Sequence, residues 1–178
     1  MSRMQGVVVG IVKSVQDPQN LGRVQVFFPW LSDDNRSQWA RMATLMTGPK
    51  RGSWFMPEVD DEVLVAFEHG DVQHPYIVGF LWNGADKPPE SDCKNRVILT
   101  PGGHTLRFED TDNNKKIIIR SSNGHTIALD DTPGGQTITL TTKINQQMVE
   151  LDDKGQGSIK LQGGGRSIVM QAGVVQIT

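Results

Sequence analysis

Four histidines, His69, His74, His104 and His125, are the side chains best suited to ligate a metal or move a proton. His69 and His74 flank Gly70-Asp71, a turn-forming pair, and read as parts of one surface turn. His104 and His125 occupy equivalent places in Gly103-His104-Thr105-Leu106 and Gly124-His125-Thr126-Ile127, and read as outward turn residues. The acid pairs Asp130-Asp131 and Asp152-Asp153 have the chemistry for calcium. The glycine–aspartate nonapeptide of calcium-binding β-rolls is absent, so they read as solvated turns. Gly163-Gly164-Gly165 lacks the Lys-Ser/Thr that follows a phosphate-cradling loop. Cys93 is the one cysteine, excludes an internal disulfide and reads as an inert linker residue. No Ser–His–Asp order or catalytic carboxylate pair stands out. The expectation is a protein that is not an enzyme, with no catalytic residue, metal site or cofactor.

Phe27, Trp30, Arg41, Lys50 and Arg51 together could make a stacking, basic face for a nucleic acid or a sugar. The charge balance weighs against it: 18 basic and 20 acidic residues give a net charge of −2, whereas phosphate neutralisation needs a basic surface. No nucleic-acid partner is expected. A nucleic-acid- or carbohydrate-binding module of the OB type, with a β-solenoid fibre, is the alternative reading.

The elements that must position these residues are strands. Hydrophobic residues make up 37% of the chain, beside 19 Gly and 9 Pro, the balance of an all-β protein with many turns. The apolar run from Gly6 to Val12 is followed by no small-residue cleavage site, so it reads as a strand, not a signal peptide. No run reaches the roughly 18 apolar residues of a membrane helix. Synthesis in the cytoplasm without a signal peptide is expected.

Rhythm divides the chain. Residues 1–85 hold all four tryptophans, Trp30, Trp39, Trp54 and Trp82, and five of the six phenylalanines. Alternation at Val24, Val26 and Phe28 and at Val63, Val65 and Phe67 predicts two strands, and 6–15, 39–46 and 75–82 are also strand-like. Asp17-Pro18-Gln19-Asn20, residues 47–52 and His69-Gly70-Asp71 read as turns. Such a pattern predicts an OB-type barrel that folds by itself on a core supplied by its aromatics. Residues 86–95, with Pro88 and Pro89, read as a linker.

Residues 96–178 repeat. Apolar pairs at i, i+2 fall at Val97/Leu99, Leu106/Phe108, Ile117/Ile119, Ile127/Leu129, Ile138/Leu140, Val149/Leu151, Ile159/Leu161, Ile168/Met170 and Val175/Ile177. The steps between them are 9, 11, 10, 11, 11, 10, 9 and 7 residues, with polar turns between. Burying two side chains per strand contributes about 1.5–3 kcal/mol each. Ordering about five backbone residues costs about 1–2 kcal/mol each, so one chain gains almost nothing. Three chains, each giving one face of a prism, would bring the stripes together on an axis. The eight pairs from Val97/Leu99 to Ile168/Met170 are therefore expected to form a trimer core, and the shortening steps predict a taper.

Family resemblance sharpens this. The residues that carry it are Gly22-Arg23-Val24-Gln25-Val26-Phe27-Phe28-Pro29-Trp30, Trp39-Ala40-Arg41-Met42-Ala43, Pro57 and Glu62-Val63-Leu64-Val65-Ala66-Phe67-Glu68. Gly70-Asp71 follows, then Pro75-Tyr76-Ile77-Val78-Gly79-Phe80-Leu81-Trp82-Asn83-Gly84 and Pro88-Pro89. Over about residues 5–90 the chain resembles the barrel of phage baseplate assembly protein V and of the VgrG spikes of type VI secretion. The repeats resemble the trimeric triple-stranded β-helix that follows this barrel. Asp60 stands where many members have glycine, and aspartate tolerates the left-handed turn conformation.

The resemblance implies the spike of a contractile injection machine: a homotrimeric, membrane-puncturing needle assembled into a baseplate and delivered outside the cell on contraction. It implies a separate baseplate hub protein at the barrel end and transient contact with the target membrane. No lysozyme domain stands between barrel and needle, so no peptidoglycan-cleaving activity is carried over. It also implies a PAAR-type tip protein on Gly173, Val174, Val175, Gln176, Ile177 and Thr178. No His-x-His pair of the metal-binding spike tips is present there.

Overall fold

The computed structural model describes residues 3–30, 37–144 and 146–178. They are all-β apart from one 3₁₀ turn, Glu68–Gly70. The chain divides into two compact units, Met1–Lys87 and Pro88–Thr178.

In the first unit, β1 (Val7–Ser14), β2 (Gln25–Phe27), β3 (Arg41–Met42), β6 (Glu62–Phe67) and β7 (Pro75–Phe80) form one sheet in the order β2-β1-β6-β7-β3. The sheet curls into an OB-like half-barrel, and an isolated antiparallel bridge between Val24 and Ala40 joins its two ends. The Val24 N–H donates to the Ala40 carbonyl at 3.0 Å, and the Ala40 N–H returns the bond at 2.7 Å. The expected strand at 39–46 is thus only Arg41–Met42 beside this bridge. Beyond it the chain leaves the sheet and forms a hairpin, β4 (Thr47–Gly48) with β5 (Arg51–Gly52), where a turn was expected.

The core is aliphatic. Val12, Val24, Val26, Val63, Val65, Ala40 and Ile77 are buried with Phe28 and Phe67. The alternation at 24/26/28 and 63/65/67 is the inward face, as the period of two requires. The tryptophans are not the core: Trp54 is 73% and Trp82 65% exposed. The reason is space. A Cβ on Gly10 would already sit 3.3 Å from Val26 and Val65, so the interior has room for valines, not indoles.

Polar turns hold the barrel from outside. The Asp17 carboxylate accepts Arg23 Nη2 at 2.7 Å and Nε at 2.9 Å, and the backbone N–H groups of Gln19 and Leu21 at 3.0 and 2.9 Å. The Arg23 guanidinium, helped by those N–H groups, holds the Asp17 carboxyl well below the usual carboxylate range. Asp60 has φ +77°, the left-handed conformation foreseen for it, and pairs with Lys13.

In the second unit β8 (Asn95–Leu99), β9 (Thr105–Thr111), β10 (Asn114–Arg120), β11 (Thr126–Asp130) and β12 (Thr137–Thr141) run on into β13 (Met148–Asp152), β14 (Ser158–Gly163), β15 (Arg166–Gln171) and β16 (Val174–Ile177). Each pairs antiparallel with its sequence neighbours in one nine-stranded sheet.

Replacing Ile77, which is 1% exposed, by alanine is expected to cost the first unit about 2–5 kcal/mol. Trp82→Ala is expected to stay within about 0.5 kcal/mol, as for an exposed position. Urea unfolding of both variants checks the contrast, and equal losses would place the core elsewhere.

Candidate assembly face of the C-terminal sheet

Directly paired residues of an antiparallel sheet point to the same face. Following the register from strand to strand traces two rows. One runs Phe108, Ile117, Leu129, Ile138, Leu151, Ile159, Met170, Val175. The other runs Ile98, Leu106, Ile119, Ile127, Leu140, Val149, Leu161, Ile168, Ile177. Except for Leu106, Leu129 and Val149, these side chains are 37–75% exposed. The result is a continuous apolar stripe, two side chains wide from β9 to β16, over which the described residues of the second unit lay nothing. Monomers rarely expose a contiguous apolar patch of more than a few hundred Å².

The first strand departs from expectation. Ile98 pairs with Leu106, and Arg96 with Phe108. Val97 and Leu99 therefore face the other side of the sheet, and the expected Val97/Leu99 pair does not belong to the stripe. The 21-residue repeat carried the signal, since Ile98 and Leu106 stand 21 residues before Ile119 and Ile127. The other expected pairs share the face. Of the expected tip residues, Val175 and Ile177 lie on it, while Val174 and Gln176 face away. Thr178 bonds back to Ser167, whose N–H donates to the Thr178 carbonyl at 2.8 Å.

Turn chemistry sets this register. Thr100 and Ser121 begin equivalent turns and accept, through their hydroxyls, the N–H of His104 and His125, each at 3.0 Å. Thr142, another 21 residues on, accepts the N–H of Gln147 in the same way at 3.2 Å. Gly103 and Gly124 close these turns at φ +83° and +91°, where a side chain would be strained. His104 and His125 are exposed turn residues, and His104 Nδ1 accepts the Ser122 N–H at 3.3 Å. Gly164 and Gly165, both at positive φ, make the two-residue hairpin between β14 and β15. Asp130 and Asp152 each accept the N–H two residues on, at 2.9 Å, as turn caps. Among the described residues no group of three or more His, Cys, Asp or Glu is placed to hold a metal ion.

Sequence reasoning missed one group because it lies in the presumed linker. Glu90 Oε1 accepts the N–H groups of Ser91 and Asp92 at 2.8 and 3.0 Å. Its Oε2 meets Asn95 Nδ2 at 3.1 Å and Arg107 Nη2 at 2.7 Å. Arg107 is also paired with Glu109 at 2.8 Å. The segment after Pro89 is thus fastened to the polar side of β8 and β9.

The five residues of the conceivable stacking face are not brought together. Arg41 and Arg51 line a groove on the first unit, which Phe27, Trp30 and Lys50 do not. Phe27 pairs with Ile11 on β1, and Trp30 lies against Phe28 with ring centroids 5.5 Å apart.

Comparison with known proteins follows this division. Residues 8–82, from β1 to just beyond β7, match the family described as the type VI secretion system/phage-baseplate injector OB domain. This first unit is an injector OB domain of the VgrG/baseplate-V type. Similarity extends into the repeats. The chain is 32% identical over 114 residues, 57% of its length, to the type VI secretion system spike protein VgrG3 of Vibrio cholerae. It is 33% identical over 128 residues, 65% of its length, to the type VI secretion system spike protein VgrG5 of Pseudomonas aeruginosa, and 32% over 113 residues, 56% of its length, to VgrG4b of the same species. The chain spans 11%, 16% and 14% of the length of these three relatives. No helix among the described residues is long and apolar enough to cross a membrane.

The N–H groups of Asp92 and Ser91, with Asn95 and Arg107, hold the Glu90 carboxyl down at about 2. A depressed carboxyl stabilises the fold above its unfolded value of about 4.3 and stops doing so as pH falls through the folded value. The melting temperature of the second unit is therefore expected to fall between about pH 4.3 and 2, and less steeply in Glu90→Gln. Identical pH profiles for the two proteins would show that the Glu90 contacts add nothing.

Proposed function

We propose that this chain is the central spike of a contractile injection machine, a homotrimer whose C-terminal sheets form the needle. One observation carries the reading: the exposed stripe, two side chains wide along β9 to β16 and continued by Ile98 on β8. A face this narrow suits convergence on a line better than packing against a broad second layer, and three such sheets around an axis would cover one another. Nine strands spaced about 4.8 Å apart would give a shaft about 40 Å long. The ladder hydrogen bonds run within each chain, and the stripe would join the chains. To bend, such a shaft would have to break ladders and stripe together, which suits an element driven through an envelope by sheath contraction.

The similarity to spike proteins supports the same reading and extends it to partners. A separate hub protein would seat the OB domain, and contact with the target membrane would be transient. A PAAR-type tip protein would cover the C-terminal end of the sheet, on Gly173, Val174, Val175, Gln176, Ile177 and Thr178, of which Val174–Ile177 form the last strand. Val174, Val175 and Ile177 are each more than half exposed there. Exposed sheet edges favour pairing with another chain.

Light scattering of the purified chain is expected to give three times its mass of 19.7 kDa. A stable folded monomer at micromolar concentration would overturn the needle reading. Leu140→Asp would bring three carboxylates together on the axis, at a cost of several kcal/mol for the assembly. It is expected to abolish the trimer or lower its melting temperature sharply, and an unchanged melting curve would put the axis on the other face.

Removal of residues 173–178 is expected to leave the trimer intact and to abolish capture of a PAAR-type tip protein in a pull-down. Capture at unchanged affinity would exclude those residues as the tip seat.

A further inference from the structure

The two flanks of the apolar stripe differ in charge. On one side His125 and Arg166 line a recess that the stripe residues Ile119, Ile127 and Leu140 share. On the other side Asp131 and Asp153 line a recess shared by Leu129, Ile138 and Leu151. All four charged or titratable residues are exposed, and none has an ionic partner among the described residues. A sheet with one basic and one acidic flank is complementary to a second copy of itself placed edge to edge.

His125 and Asp131 flank one strand, β11, and so stand at one height on the sheet. Six positions of extended chain separate them by about 20 Å, too far to meet within one copy. The same two residue types recur 21 residues earlier as His104 and Asp110. There the acid is already engaged, by Arg96 at 3.3 Å, and His104 Nδ1 accepts the Ser122 N–H. His125 has cations around it within its own chain: Arg166 lines its recess, and the Lys143 side chain would touch a Cβ on Gly124 at 3.4 Å. Beside Asp131 lie Lys115, whose carbonyl accepts the Asp131 N–H at 2.9 Å, and Asp153. Asp130 faces the other side of the sheet and pairs with Lys116 at 3.0 Å. Neighbouring cations disfavour a protonated imidazole, and a carboxylate brought from another copy would reverse that preference.

We propose that, in the trimer proposed above, on which this inference rests, His125 of each copy pairs with Asp131 of the next and makes the needle sensitive to pH. When three sheets turn their stripes to one axis, the basic flank of each meets the acidic flank of its neighbour at the same height. The pair would also fix the height. The stripe is a near-uniform run of Ile, Leu and Val, so a slip of one copy by one strand, about 4.8 Å, would still lay apolar side chains on apolar side chains. A single polar pair penalises such a slip, as a lone polar position fixes register in a coiled coil. The carboxylate raises the proton affinity of the imidazole in the trimer above that in the separated chain. Such a group stabilises the trimer fully below the ordinary histidine value of about 6.5 and ceases to do so as pH rises through its value in the trimer. The corners of the needle would thus be locked in mildly acidic solution and loosened in alkaline solution.

The test follows thermal dissociation of the full-chain protein, weighed by light scattering, between about pH 5.5 and 8.5, above the range in which Glu90 titrates. The melting temperature of the unaltered trimer is expected to fall across this range. His125→Gln and Asp131→Asn are each expected to lose most of that fall, keeping only what His69, His74 and His104 contribute. The exchange His125→Asp with Asp131→His re-forms the pair with its partners reversed, and is expected to restore the fall, which a merely structural role for either residue would not do. A trimer whose pH dependence is the same in the unaltered chain and in both single variants would overturn this contact and leave the needle reading standing, as would an exchange that restores nothing. A monomer would overturn both.

Discussion

A β-sheet with one apolar face is stable only when that face meets another apolar surface, and the C-terminal unit supplies none of its own. Its nine strands pair with their sequence neighbours, so the ladder is continuous between the edge strands β8 and β16. The hydrophobic side of the balance is left open: the stripe from Ile98 to Ile177 stays exposed while the polar face is half-covered by its own cross-strand contacts. The proposed function rests on this imbalance, because a layer laid over the stripe would supply the burial that the sheet lacks. In the proposed trimer, stability of the unit and assembly would be one free energy.

The OB domain solves the same problem internally. Its five-stranded sheet curls until Val24 meets Ala40, and valines on facing strands fill the interior. Because the interior is narrow, the large aromatics are displaced to the surface, where Trp54 covers Gly22 and Trp82 stands open. Bulky apolar groups outside a completed core are available for contacts with other molecules. The two units thus differ: one buries its apolar face within its own curled sheet, and the other leaves it exposed.

Turn residues connect these two solutions to their register. A one-residue slip would turn the stripe onto the polar face. The hydroxyls of Thr100, Ser121 and Thr142 at equal spacing, and the carboxylates of Asp130 and Asp152 on other turns, prevent it by capping backbone N–H groups. Glu90 extends the same chemistry to the segment that precedes the sheet, where two prolines exclude a ladder and a side-chain carboxylate takes over the fastening. Residues that resemble metal ligands in isolation, the histidines and acid pairs, belong to this turn chemistry.

Much of this was legible in the amino-acid sequence. Strand count and the apolar face of β9 to β16 follow from a period of two interrupted by turns, because alternation and turn formation are local properties of the chain. The family of residues 8–82 was legible for a similar reason, since its motifs lie in one order along the chain. What the sequence left undecided depended on partners distant along it. Val97 and Leu99 alternate as well as Ile98 and its neighbours do, and only the register to β9 assigns Ile98 to the stripe. Tryptophan-rich composition does not say where the indoles go, because burial is decided by the volume that other strands leave. Glu90 in a proline-flanked segment looks like any linker acid until the fold places Arg107 beside it. Arg41 and Arg51, ten positions apart, become two walls of one groove only when the chain leaves the sheet at Ala43 and returns as a hairpin. Local pattern determined the elements and their faces; the meeting of remote side chains, and with it the charge and shape of the surfaces, came from tertiary structure alone.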